Sequence, residues 1–123
     1  MTIRQAIDQT DALKFNTYSN EDKVQWLSQL DWDVVRNVME THEGGGQFGF
    51  FGYDRNTDPE TVLLVPEPFD QMYLRYLESQ IDYHNGEMER YNISAMLFNN
   101  QYEAYAKWYR RNNMPVSCGR FQF

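Results

Sequence analysis

The chain has 123 residues, enough for one domain with a real but modest core. Its net charge of −7 and 24% charged residues argue against wrapping nucleic acid, which needs clustered Lys and Arg. No apolar run approaches the roughly 20 residues that span a bilayer, and the single cysteine, Cys118, excludes an internal disulfide and points to a reducing compartment. Aromatic residues reach 16%, a high share. So many rings imply both an aromatic core and a surface reserved for partners.

The first residues, Met1-Thr-Ile-Arg-Gln5, lack the apolar centre of a signal peptide, so the expected setting is a cytoplasm or a particle assembled there. Residues 3–14 predict a short helix with Ile3, Ala6, Ile7 and Leu13 as its apolar face. Ser19 suits an N-cap, and Asp22 favours the positive end of the next helix dipole. That helix buries Val24, Leu27 and Leu30, with Trp26 on its flank. A break or kink is expected at Asp31-Trp-Asp33, because Asp31 can cap a new turn. Val34, Val35, Val38 and Met39 then continue at helical spacing to about His42.

Residues 43–67 read as a central loop. Gly44-Gly-Gly46 is followed by Phe48, Phe50, Phe51 and Tyr53, alternating with glycines. These rings either fold back over their own domain or insert against a neighbouring subunit. The glycine run lacks the Lys-Ser/Thr of a phosphate loop. Asp54-Arg-Asn-Thr-Asp-Pro59 reads as a turn, and Val62-Leu-Leu-Val65 as a short extended segment at most.

A helix is expected from about residue 68 to 84, with Pro68 in its first turn. From there a ladder of mostly apolar residues runs at spacings of three and four: Leu74, Leu77, Ile81, His84, Met88, Tyr91, Ala95, Phe98, Tyr102, Tyr105 and Tyr109. Asn85-Gly86 reads as a stop by composition, yet the stripe passes through it in phase. A tight helix–helix turn and one long kinked helix are both compatible with that pattern. Helix is expected from Glu87 to about Asn112, where Met114-Pro115 ends it. The expected organisation is a single all-α domain over 1–113, a small helical bundle with the Gly/aromatic loop in its middle. An extended C-terminal tail over 114–123 follows.

The pattern holds little chemistry. His42 and His84 have no His or Cys at ligand spacing, Cys118 has no partner motif, and the carboxylates read as a charged helix face. No catalytic residue, cofactor site or metal site is assigned. The candidate residues are for partner contact: Phe48, Phe50, Phe51 and Tyr53 in the loop, and Tyr102, Tyr105 and Tyr109 on the stripe. Met114, Pro115, Val116, Arg120, Phe121 and Phe123 join them in the tail, either as a frayed end or as a docking arm. Charge is uneven: residues 1–67 carry twelve acids and five bases, and after Glu103 only bases remain. The front is acidic and the end basic.

Several short motifs, in order, resemble a family of small virion proteins from the head–tail morphogenesis module of tailed phages. They are Trp26-Leu27-Ser28 with Leu30-Asp31, Leu63-Leu-Val-Pro-Glu-Pro-Phe-Asp70, Tyr73, and Tyr76-Leu77. Ile81-Asp-Tyr83, Glu87, Arg90-Tyr-Asn92, Phe98-Asn99, Tyr102 and Met114-Pro115 continue the likeness. Phe69 stands where the family pattern has Tyr, and the last eight residues lie outside it. The resemblance implies a head–tail connector, an adaptor in a ring commonly of twelve subunits beneath the portal, with C-terminal arms reaching toward the portal. Its implied partners are copies of itself, the portal protein and a tail or stopper protein. DNA would pass the acidic lumen without sequence-specific binding, and no membrane is involved. The implied setting is the virion neck, with the host cytoplasm during assembly. A tail-completion or stopper protein of the same neck is the nearest alternative, and a small non-virion binding module the next.

Overall fold

In the computed structural model, residues 1–39 and 50–112 are described, and they are all-α with irregular connections. Helix α1, Ile3–Leu13, begins at a capping box in which Thr2 accepts from the Gln5 amide and Gln5 returns the bond. Its next free amides are met from the central loop: Ile3 donates to the Thr61 carbonyl at 3.0 Å and Arg4 to Pro59 at 2.9 Å. The segment 62–65 thus contributes a single bridge, Thr2 to Val62, and no strand.

Helix α2, Asn20–Val34, starts where Ser19 Oγ accepts from the Asp22 amide, with Glu21 and Asp22 in its first turn. The break expected at Asp31–Asp33 is absent. The helix runs through it and widens instead into a π-helical turn over Val35–Met39. Asp31 does not cap a turn because its carboxylate is buried and bonded by distant side chains, described below. His42, the Gly44–Gly46 run and Phe48 lie outside the described residues.

Residues 66–70 close through i→i+3 bonds, Phe69 N to Pro66 O and Tyr73 N to Asp70 O among them, so helix α3 opens at Gln71 and runs to His84 rather than starting at Pro68. At its end Gly86 adopts φ +77°, its amide reaches Tyr83 O, and the Glu87 amide reaches Asp82 O at 3.0 Å. This is a Schellman cap, which reverses the chain into helix α4, Met88–Asn112. The pairings step outward from the turn: Tyr83 on Tyr91, Asp82 on Ser94, Tyr76 on Phe98, Phe69 on Tyr105. Residues 71–112 are therefore an antiparallel hairpin, not one kinked helix. The unbroken stripe did not report direction, because both apolar faces need only meet each other.

The core gathers Ile3, Ala6 and Ile7 of α1 with Leu27, Leu30, Val34, Val35 and Val38 around α2. Leu63, Val65, Met72, Tyr73, Leu77 and Ile81 join them, with Tyr105 and Ala106 from α4. Two ion pairs fix the helices laterally. Lys23 of α2, buried, meets Asp11 of α1 at 2.6 Å. Lys14, just after α1, meets the buried Asp82 of α3 at 2.6 Å, and Ser94 of α4 donates to the other oxygen of the same carboxylate. Among the described residues, no helix is long and apolar enough to cross a membrane.

Candidate functional site

The centre of polar organisation is Asp31, wholly buried in the middle of the fold. Helical spacing puts Leu27, Leu30 and Val34 in the core and carries Asp31 in with them. Three donors compensate its burial. Tyr73 of α3 donates to Oδ1 at 2.7 Å, Tyr53 donates to Oδ2 at 2.5 Å, and the Leu64 amide reaches Oδ2 at 3.3 Å. The Val65 amide in turn donates to the Tyr73 hydroxyl at 2.8 Å. One carboxylate thereby holds α2, α3 and both ends of segment 53–65. Burial is the main influence on Asp31 and pushes its pKa up to about 6, with the hydrogen bonds from Tyr53, Tyr73 and Leu64 opposing. Burial, reinforced by the nearby Asp31 charge, raises both tyrosines well above their ordinary value.

This anchor explains the loop residues. The Tyr53 amide donates to Ser28 Oγ at 3.0 Å, and Phe50 packs edge-on against Trp32 and against Tyr53. Gly52 sits at φ +86°, and a Cβ there would come within 2.9 Å of Trp32 Nε1. Phe50 and Tyr53 therefore fold back on their own chain and are partly buried against its core, the first of the two arrangements expected for these rings. Phe51, between them, points outward and is 91% exposed.

The stripe divides similarly. Tyr105 is 0% exposed, stacked on Trp108 and tilted against Phe69 and Tyr109, so in the single chain it belongs to the core. Tyr102 is half-buried and donates to Asp33 Oδ2 at 2.8 Å, tying α4 to α2. Tyr109 is half-buried beside Tyr105. Burial raises the pKa of both Tyr102 and Tyr105. His84 lies near the rings of Trp26, Tyr18 and Tyr83, with Nδ1 on the Gln80 carbonyl at 2.8 Å. Phe48, Met114, Pro115, Val116, Arg120, Phe121 and Phe123 lie outside the described residues.

The pattern missed two exposed apolar residues of α4, Ile93 at 58% and Met96 at 55%. They fall three residues apart and off the stripe, a signal available in the spacing. Among the described residues no three His, Cys, Asp or Glu side chains converge to hold a metal. Compared with known protein families, curated proteins and solved structures, the chain gives no significant match.

Proposed function

We propose that this chain is a head–tail connector subunit, an adaptor that assembles with copies of itself into a ring beneath the portal of a tailed phage. In this reading it acts by binding, without catalysis or cofactor. Residues 1–113 form a small-bundle body. Loop 43–67 presents Phe51 to a neighbour, and residues 114–123 serve as an extended arm on a neighbouring component. The portal and a tail or stopper protein are its further partners, in the neck of the virion and, before that, in the host cytoplasm. The observation that carries the reading is the split among apolar side chains. The core takes in Tyr105 and has Phe50 and Tyr53 packed against it, while Phe51, Phe15, Ile93 and Met96 stand exposed. Large apolar side chains of this kind, left uncovered on one chain, are the raw material of a subunit interface. The motif resemblance over residues 16–115 supplies the class of assembly. A stop codon in the gene should give capsids and tails that do not join. Normal infectious virions from that mutant would overturn the proposal.

A further inference from the structure

We infer that a groove between α1, α2 and the turn at 54–59 receives residues 114–123 of a second copy of this chain. The groove has a volume of about 320 Å³ and a floor of Ile3, Ile7 and Val24. Its rim carries Asp8, Glu21 and Asp54. Of the two rim arginines, Arg4 is engaged by Glu60 at 2.5 Å, leaving Arg55. A shallower depression continues from Glu21 and Asp54 and adds Asp22. The site is an apolar trough with an acidic edge. It calls for an apolar, aromatic and basic peptide.

The chain contains one such segment outside its described residues, Met114-Pro-Val-Ser-Cys-Gly-Arg-Phe-Gln-Phe123. It carries Arg120 and no acidic side chain, and it follows Lys107, Arg110 and Arg111. In an extended peptide, Phe121 and Phe123 would share one face and enter the trough while Arg120 met the acidic rim. The eleven residues after Asn112 can span roughly 36 Å at about 3.3 Å each. None of the described residues of α3 or α4 lines the groove, and a ring of identical subunits, on the adaptor reading, needs a head-to-tail contact of this kind between copies. The inference deepens the adaptor reading, on which it rests, by naming what the arm binds.

The test uses the full-length chain without portal. A photo-crosslinking amino acid replaces Phe121 in an isotope-labelled copy, which is mixed with unlabelled protein. Crosslinks should join labelled residue 121 to the unlabelled region around Val24. Links confined to single molecules, or falling elsewhere, overturn the inference. Separately, Glu21→Arg and Arg120→Glu should each weaken self-association roughly tenfold through like-charge contact, and the two together in one chain should restore it. Val24→Arg, with folding checked by circular dichroism, should abolish it. Folded variants that all associate like the wild type contradict the groove. Portal capture by the wild-type chain is scored independently, so a failed groove and a failed adaptor reading are distinguishable.

Discussion

Asp31 holds its proton more tightly in the folded chain than in the unfolded one, with a pKa near 6 against about 3.9. Between those values the folded form binds more protons, so this group's contribution to stability is complete below about pH 4 and is lost as pH rises through 6. Two units correspond to about 3 kcal/mol at neutral pH. Asp31→Asn should remove that dependence, so melting curves of variant and wild type should converge or cross between pH 4 and 7. Parallel curves would show that the carboxylate does not titrate in this range. Absolute stability of the variant mixes the lost charge with a weaker acceptor for Tyr53 and Tyr73, whereas the pH difference isolates the charge. Tyr105 offers a second contrast. Its hydroxyl is buried and finds no hydrogen-bond partner among the described residues, whereas Tyr102 donates to Asp33. Tyr105→Phe should be neutral or stabilising by up to about 1 kcal/mol, and Tyr102→Phe should cost about 1–2 kcal/mol. Tyr105→Ala should cost about 3–5 kcal/mol by analogy with Phe. Urea midpoints decide this, and equal losses from the two Phe variants would contradict the assignment.

At the scale of elements, the Lys14–Asp82–Ser94 contact joins α1, α3 and α4 through one buried carboxylate. The partners are unequal, because Asp82 is sealed and the Lys14 side chain retains 21% exposure. Lys14→Ala strands a buried charge and should cost on the order of 3 kcal/mol. Asp82→Ala leaves a lysine that can swing to water and should cost less by thermal melting. The reverse order would mean that the pair contributes little beyond packing. Helix identities were legible because α1, α2 and α4 keep their apolar spacing and Ser19 caps as its type prefers. The turn at Asn85-Gly86 was legible from composition as a stop and so as a helix–helix turn, while the phase of the stripe, which is the same either way, kept a single kinked helix open. Asp31 was not legible at all. Its acceptor role depends on tyrosines 22 and 42 residues away, and no local pattern records that distance. The same contact hid the fate of Tyr53, which carries a loop-like sequence and a core-like environment.

At the scale of the molecule, the proposed docking would pair an acidic front and its apolar trough with the basic, aromatic end of another copy. Such a head-to-tail arrangement would be heterologous, and repeated around an axis it would close into a ring or continue as a filament. Phe51, Ile93 and Met96 would add apolar area to the same contacts. The candidate interface was half legible. Composition identified an excess of aromatics, but only the packing separated Tyr105 and Tyr53, which serve the core, from Phe51, which does not. The most direct measurement is native mass spectrometry of the purified chain, alone and mixed with the portal protein of its own genome. A closed oligomer of this chain, of twelve copies on the resemblance, should form and bind the portal ring. A chain that stays monomeric at high concentration and leaves the portal unbound would contradict the account.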